Sequence, residues 1–312
     1  MSTGTPAVPT AVESRRLSAQ AKRWLNGETA TALLFLIPSL VGFIVFYAVP
    51  AVRALAISFT DWDLLTEAQN IGLANYTTLF QDPDFWHALW VTVYYVLLNI
   101  PIQTMLAVGI AVMMDRLTQS IIVRSIIILP WLFPNVVVGL LWLWLLDPSV
   151  GIVNAGLEAI GFSSVPFLTS TERALPSIAW INIWRHVGYT ALLVFAGLQA
   201  IPKSVYEAAS IDGATEWRAF WNITIPLLRP VLVFVVVTSV IGSFQIFDTV
   251  AITTAGGPVN ATEVLNWFIF EQAFERFNMG YATTISVVLF LILVTVSIIQ
   301  MRFMRAGESD LA

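Results

Sequence analysis

Residues 207–213 read EAASIDG, and the chain continues to ITIP at residues 223–226. The polar segment that contains both, residues 201–229, lies between two long apolar runs. Its alanines and glycine let another protein come close to the backbone, and its carboxylates offer hydrogen-bond acceptors that can orient that protein. The spacing alone is equally consistent with a short helix that docks on a partner and with an amphipathic connector.

The rest of the chain is strongly apolar. Hydrophobic residues make up 57% of the 312 and charged residues 11%, whereas soluble domains carry about 25% charged residues. Uncharged runs cover residues 29–52, 88–114 and 125–146, which are 24, 27 and 22 residues long. Because about 20 apolar residues cross a bilayer core as a helix, the sequence predicts an all-α, multi-pass membrane protein in contact with membrane lipid.

The apolar runs predict a six-span domain over residues 29–305, with spans at about 30–52, 88–114, 124–146, 176–200, 230–250 and 281–302. Residues 1–28 are expected to form a disordered tail and an amphipathic helix at the membrane interface, and residues 306–312 a C-terminal tail. A cleaved signal peptide is the alternative at the N-terminus, but the first apolar run exceeds the about 7–15 residues typical of such peptides.

The basic residues indicate the orientation of the spans. With both termini inside, the cytoplasmic segments hold 11 of the 15 basic residues, and the other four are Arg53, Arg173, Arg185 and Arg276. Cytoplasmic loops of membrane proteins carry an excess of Lys and Arg. The sequence therefore predicts cytoplasmic N- and C-termini and a cytoplasmic location for segment 201–229, between the fourth and fifth spans.

The spacing within segment 201–229 resembles the signature of the permease subunits of bacterial ATP-binding-cassette importers. That signature is E-A-A, three residues, G, nine residues and I-x-L-P, and here Ile225 stands where Leu is usual. The wider sequence is similar to the carbohydrate-uptake branch, which includes the larger permease of maltose transporters. The likeness extends through AGGP at residues 255–258 and GYATTISVVLF at residues 280–290.

The resemblance implies a type I importer permease fold in the bacterial plasma membrane. It also implies three partners: a second homologous permease subunit, an ATP-binding-cassette ATPase dimer that binds ATP and Mg²⁺, and an extracytoplasmic substrate-binding protein. A coupling helix that docks on the ATPase would be formed by Glu207, Ala208, Ala209, Asp212 and Gly213.

The chain itself shows no pattern for covalent chemistry. It lacks the glycine-rich phosphate loop that ends in Gly-Lys-Ser/Thr, so a partner must bind ATP. It contains no cysteine, and its two histidines, His87 and His186, form no recognisable metal motif. We expect a protein that is not itself an enzyme, with no catalytic residue, no metal, no cofactor of its own and no nucleic-acid partner.

Arg185 lies near the middle of the predicted fourth span. A charge at that depth costs about 2.5–3.5 kcal/mol on insertion scales, so its side chain is expected to face protein or water. Two roles are equally consistent with the sequence. Arg185 could bind substrate hydroxyls or an anion in a central cavity, or it could form an ion pair with Asp248 near the outer end of the fifth span.

The resemblance to maltose-type permeases implies further residues along the substrate pathway. Pro130 and Pro134 interrupt the third span, and irregular backbone at membrane depth is tolerated where it lines a cavity. The residues that match by motif lie beside these prolines, around the middle of the fourth span and upstream of AGGP: Trp131, Asn135, Val187, Gly188, Ala191, Leu192, Ser239, Ser243 and Gln245. Helix packing is the alternative role for each.

These observations favour a permease subunit of an ATP-driven importer that moves a disaccharide or small oligosaccharide from a binding protein into the cytoplasm. Glycerol phosphate or a polyol is the alternative substrate, although a lone Arg185 offers little positive charge for a phosphate. A stand-alone secondary transporter is a distant alternative, because such proteins need titratable groups in the membrane and often inverted repeats. A membrane-embedded enzyme is disfavoured further, since His186 and Asp248 have no catalytic spacing.

Overall fold

The computed structural model describes residues 27–118 and 120–303 and divides the chain into two compact units, residues 1–56 and 57–312. The predicted N-terminal tail and interfacial helix, apart from residues 27 and 28, lie outside the described residues, and so does the C-terminal tail. Regular structure in the described residues is helical, with one isolated β-bridge between Thr60 and Asn70. The all-α prediction is confirmed for these residues.

The described part of the first unit is helical and mostly apolar. Helix α1 (Gly27–Phe43), a π-helical turn (Ile44–Ala48) and α2 (Val49–Ile57) follow one another directly. Large apolar side chains along this run are exposed, including Phe35 and Phe46. An apolar surface of this size indicates contact with a membrane.

The second unit contains the remaining helices. In chain order they are α3 (Ala74–Gln81), α4 (Pro83–Leu117), α5 (Ile121–Leu132), α6 (Asn135–Leu145), α7 (Ile152–Ala159), α8 (Ala174–Gln199), α9 (Lys203–Ile211), α10 (Glu216–Ala219), α11 (Ile225–Leu227), α12 (Arg229–Phe244), α13 (Asp248–Thr253), α14 (Leu265–Phe270) and α15 (Met279–Phe303). π-Helical turns follow α10 at Phe220–Thr224 and α14 at Glu271–Glu275.

Three helical stretches among the described residues are each long and apolar enough to cross a membrane: Thr31–Ile57, Pro83–Leu117 and Met279–Phe303. Two further pairs of helices are apolar enough to cross a membrane together but are bent at a break: α5 with α6, and the stretch Glu216–Leu227 with α12. If each bent pair counts as one span, the described residues contain up to five spans. Helix α8 takes the place of the predicted fourth span. It has 26 residues, which is long enough to cross, but it carries several polar side chains. The count of six spans and the orientation of the termini stay predictions.

The predicted third span, residues 124–146, is two helices rather than one. Pro134 cannot donate a backbone hydrogen bond, and a proline drives the preceding residue out of the helical conformation. Phe133 is accordingly extended, with φ −77° and ψ 141°, and α6 is bent from α5 by 92°. The predicted fifth span, residues 230–250, also ends early, because α12 stops at Phe244 and α13 starts only at Asp248.

Helices α4 and α8 pack against each other along much of their length and form the centre of the second unit. Their contact contains small buried residues such as Ala107, Ala111 and Ala191, and small residues let membrane helices approach closely. Another side of α4 presents exposed apolar residues such as Trp90 and Leu97. Helix α4 therefore has one side that packs on protein and one side suited to lipid.

Candidate functional site

A cavity of about 210 Å³ lies between α4, α5, α8 and α12, and its wall is more apolar than polar, with Leu193, Phe234 and Val235 among its residues. Amide, hydroxyl and imidazole groups line it, supplied by Gln103, Asn182, His186, Thr190, Thr238, Ser239 and Ser243, together with the aromatic rings of Trp131 and Tyr189. Among the residues that the structure describes, no Asp, Glu, Lys or Arg belongs to the lining. The cavity is therefore suited to a polar but uncharged solute.

Helix α8 supplies much of the polar wall. Asn182, His186 and Tyr189 are spaced by four and three residues, which places them on one face of the helix. Nδ1 of His186 lies 3.0 Å from the carbonyl oxygen of Asn182. Asn182 and Tyr189 were not among the residues implied by the resemblance. Their polar side chains recur at helical spacing within an apolar span, and this pattern is a sequence signal for a polar helix face.

Two stacked aromatic rings lie beside these polar groups. Trp131, in the last turn of α5, stacks on Tyr189 of α8, with ring centroids 4.6 Å apart and an angle of 10° between the ring planes. Both rings belong to the cavity lining. The cavity thus combines an aromatic surface with hydroxyl and amide groups.

Two amides on α4 hold the polar groups of the wall in place. Asn99 Nδ2 donates to Ser243 Oγ at 3.0 Å, and Gln103 Nε2 donates to Thr190 Oγ1 at 2.9 Å. Polar residues within membrane helices are typical of such links between helices. The links connect α4 to α12 and to α8, and Gln103 also lines the cavity.

Arg185 lies beside the cavity and does not line it. Its Nε and Nη2 atoms donate to the carbonyl oxygen of Phe133 at 3.3 and 3.0 Å, and Nη2 also donates to the carbonyl oxygen of Trp131 at 3.2 Å. Carbonyls at the end of a helix lack intrahelical partners, and the break before Pro134 creates such an end. Asp248 instead accepts a hydrogen bond from Asn135 at 2.7 Å. The ion pair between Arg185 and Asp248 does not form in the described structure.

Three of the pathway residues implied by the resemblance meet in the cavity: Trp131, Ser239 and Ser243. Asn135 and Asp248 pair with each other outside its lining. Their hydrogen bond connects the start of α6 to the start of α13. Each of these helices begins where a predicted span is interrupted, the third span before α6 and the fifth span before α13.

The structure places the other predicted pathway residues away from the cavity lining. Val187, Ala191 and Leu192 pack in an apolar cluster of α4, α8 and α12. Gly188 lies where α8 touches α5, and a Cβ at this position would be 1.9 Å from a backbone carbonyl oxygen of α5. Gln245 is exposed at the end of α12. The residues implied by the resemblance therefore lie on helices that line the cavity, but several of them are on the packing faces of those helices.

The predicted coupling residues lie on and just after α9. Glu207, Ala208 and Asp212 are exposed, and Ile211 is 87% exposed. The structure thus leaves the predicted coupling surface open.

Gly213 ends α9 in a Schellman turn. Its φ is +76°, its own N–H donates to the Ser210 carbonyl at 3.1 Å, and the N–H of Ala214 donates to the Ala209 carbonyl at 2.9 Å. This pattern requires the left-handed conformation, which glycine adopts without steric cost. Gly213 therefore has a local structural role in ending α9, in addition to leaving space for a partner.

The coupling segment is tied to the helices around the cavity. Arg116 at the end of α4 forms an ion pair with Glu216 of α10, and Gln199 at the end of α8 donates to Asp115. Both partners of the ion pair are well exposed, so it contributes little to stability. The ion pair nevertheless places α10 beside the end of α4, and the Gln199–Asp115 hydrogen bond joins that end to the end of α8.

Glu263 is a buried carboxyl group outside the membrane-spanning helices, between α13 and α14. It is only 3% exposed. Burial, reinforced by the negative charges of Glu271 and Asp84, raises its pKa to about 7. The neighbouring His87 opposes this increase. The carboxyl group of Glu263 is therefore partly protonated at neutral pH.

We expect Glu263→Gln to stabilise the protein by about 1–2 kcal/mol at pH 8. The ordinary pKa of this carboxyl is 4.5, so the folded protein binds more protons than the unfolded chain between pH 4.5 and 7. Wild-type stability consequently falls as the pH rises through this window, while a glutamine does not titrate. Thermal unfolding from pH 4 to 9 should give curves that coincide at acidic pH and separate as the pH rises. An equal difference at every pH would contradict this expectation.

Comparison with known proteins agrees with this architecture. Residues 103–307 match the family described as "Binding-protein-dependent transport system inner membrane component". The chain is 32% identical to the sulfoquinovosyl glycerol transport system permease protein SmoG of Agrobacterium fabrum, over 92% of this chain and 94% of that one. It is 34% identical to the sn-glycerol-3-phosphate transport system permease protein UgpA of the same organism, over 87% and 94%.

The chain is also similar to a trehalose/maltose permease and to a chain of a solved importer structure. The chain is 30% identical to the trehalose/maltose transport system permease protein MalF of Thermococcus litoralis, over 89% of this chain and 95% of that one. Its fold matches a chain from the crystal structure of a bacterial ABC transporter involved in alginate import, with a TM-score of 0.80 and 23% identity over 94% and 99% of the two chains. The resemblance implied by the E-A-A segment is therefore confirmed, and the chain is an integral membrane protein that belongs to the family of binding-protein-dependent transport system inner membrane components.

Proposed function

We propose that this permease subunit serves an ATP-driven importer for a neutral sugar. The cavity between α4, α5, α8 and α12 carries this proposal. Its hydroxyl and amide groups can exchange hydrogen bonds with sugar hydroxyls. The ring faces that the stack of Trp131 and Tyr189 leaves uncovered offer a surface for the apolar face of a sugar ring.

The absence of fixed charge from the described cavity lining favours a neutral substrate over an anionic one. Phosphate groups are bound through charge-assisted hydrogen bonds, chiefly from Arg and Lys. The guanidinium of Arg185 is occupied by the carbonyl oxygens of Trp131 and Phe133. The names of the relatives include both trehalose/maltose and sn-glycerol-3-phosphate. Of these two classes, the uncharged sugar matches the charge of this lining better.

The proposed importer comprises this chain, a second permease subunit, an ATPase dimer that binds ATP and Mg²⁺, and an extracytoplasmic binding protein in the bacterial inner membrane. The family description refers to a binding protein and an inner membrane, and it supports these two parts of the proposal. The exposed surface of α9 is the proposed ATPase contact, and it is tied to the helices of the cavity through α10. Movement of the ATPase would thereby reach the substrate pathway, and this chain would perform no covalent chemistry.

The test is uptake by the complete transporter in liposomes. The chain is purified with its co-purifying partners, reconstituted with its binding protein, and supplied with labelled disaccharides or glycerol 3-phosphate. Disaccharide uptake that requires ATP on the ATPase side supports the proposal. Uptake of glycerol 3-phosphate alone contradicts the neutral substrate class, and uptake by the isolated chain without ATP contradicts the importer.

We expect Trp131→Ala to lower sugar uptake by the complete transporter. Loss of a ring contact of this kind costs about 1.5 kcal/mol at most, which corresponds to about tenfold in rate. Trp144→Ala is the matched control, because Trp144 is on α6 and is 58% exposed, outside the cavity lining. Equal uptake by the two variants would remove Trp131 from the substrate pathway.

A further inference from the structure

Three neighbouring positions on α8 hold the end of α5. Arg185 donates to the carbonyl oxygens of Trp131 and Phe133, and Gly188 leaves room for the backbone of α5. Tyr189 stacks on the ring of Trp131. The backbone and the side chain of Trp131 are therefore both held by α8.

The imidazole of His186 holds the guanidinium from its other side. Nδ1 of His186 lies 3.0 Å from the carbonyl oxygen of Asn182. A carbonyl oxygen only accepts, so Nδ1 carries the hydrogen and donates it. Nε2 of a neutral imidazole then has a free lone pair, and it accepts from Nη1 of Arg185 at 2.8 Å. All the nitrogens of the guanidinium thus have hydrogen-bond partners.

The arrangement is well suited to a helix break at membrane depth. The last carbonyls of a helix need partners from outside the helix, and an unsatisfied backbone group in the hydrocarbon region is costly. A cation is also favourable at the negative end of the helix dipole. Arg185 meets both requirements at the end of α5. Its planar guanidinium holds several donors in a fixed geometry, whereas an ammonium is a compact charge on a flexible stem.

We propose that Arg185 and His186 are positioning residues of the transport pathway. They act through the backbone of Trp131, fix its ring on the cavity wall and make the end of α5 move together with α8. The transport part of this inference rests on the proposed function, whereas the position of the Trp131 ring can be measured independently of it.

The experiment uses the complete transporter labelled with 5-fluorotryptophan, with the ¹⁹F resonance of Trp131 assigned through Trp131→Phe. The variants are Arg185→Met, which removes the donors, and Arg185→Lys, which keeps the charge without the fork. Arg173→Met is the matched control, because Arg173 is an exposed arginine at the start of α8. Two variants of His186 are compared in the same way. His186→Gln retains an acceptor for Arg185, and His186→Leu does not. The ¹⁹F spectrum and sugar uptake are measured for each variant.

We expect Arg185→Met to shift the Trp131 resonance and to lower uptake by about tenfold. Arg185→Lys should restore part of both signals, because lysine keeps the charge and hydrogen-bond donors but not the fixed geometry of the guanidinium fork. Arg173→Met should leave the resonance and uptake as in the wild type. His186→Leu should shift the resonance further than His186→Gln, since only the glutamine oxygen can accept from Arg185.

A folded Arg185→Met transporter with an unmoved Trp131 resonance overturns the inference. A shifted resonance with wild-type uptake overturns the role in transport. If Arg185→Met does not fold, the Arg185→Lys variant and the His186 pair provide the same comparison. If the wild-type complex carries no sugar while the resonance shifts as expected, the proposed function fails and the positioning of Trp131 stands.

Discussion

Replacing Gly188 by alanine is expected to destabilise the protein by about 3 kcal/mol, the upper end of the range for overpacked contacts. A Cβ at this position would lie 1.9 Å from the carbonyl oxygen of Ile127 and 2.7 Å from its carbonyl carbon. Both are backbone atoms, so no side chain can rotate away and α5 must move from α8. That displacement would also disturb the contacts of Arg185 and the stacking of Trp131. Sugar uptake should fall together with stability.

Gly109→Ala is the matched control for this prediction. Gly109 is also inside a helix, α4, but a Cβ there meets no atom within 4 Å. Alanine has the higher helix propensity, by about 1 kcal/mol, so this variant should be as stable as the wild type or more stable. Thermal unfolding in detergent and the yield of folded protein test the pair. Equal unfolding midpoints for the two variants would show that α5 and α8 do not approach as closely as described.

Gly213→Trp is expected to abolish ATP-driven uptake while the chain stays folded in the membrane. The position has a φ of +76°, where a residue with a Cβ is strained by about 1–2 kcal/mol. The indole would also project from the exposed surface proposed to contact the ATPase. Both effects act on the coupling segment and leave the cavity unchanged. Uptake and ATP hydrolysis in the reconstituted transporter measure the loss of coupling.

Two smaller substitutions at Gly213 separate the effect of backbone strain from the effect of side-chain size. Gly213→Ala introduces the strain with little bulk, and Gly213→Asn adds a modest side chain that tolerates the left-handed conformation. We expect Asn to retain most uptake, Ala to be intermediate and Trp to be inactive. Normal coupling of transport to ATP hydrolysis in the Trp variant would rule out the proposed ATPase contact at this segment.

The helices themselves were largely predictable from sequence, because the length of an apolar run is a local property. The stretches Pro83–Leu117 and Met279–Phe303 coincide with predicted spans, although α4 starts earlier because Pro83 suits the first turn of a helix. The break between α5 and α6 was signalled by Pro134, but its 92° bend was not. That angle depends on what surrounds α6, including its contact with α13.

The candidate site was predictable only in part. Trp131, Ser239 and Ser243 were identified by motif and do line the cavity. A motif selects a stretch of helix but does not determine how the helix is rotated about its axis. That rotation turns His186 toward the cavity and places Gly188 against α5.

The sequence by itself determined the membrane class, the helical content and the position of the polar segment that carries the E-A-A motif, because these follow from composition and from patterns along the chain. Only the tertiary structure decided which polar groups meet. It assigned Arg185 to the carbonyls of a broken helix rather than to Asp248, and it brought Gln103 of α4 together with Thr190 of α8. Such pairings join residues far apart in the chain, and their energies depend on distances that arise only when the helices pack.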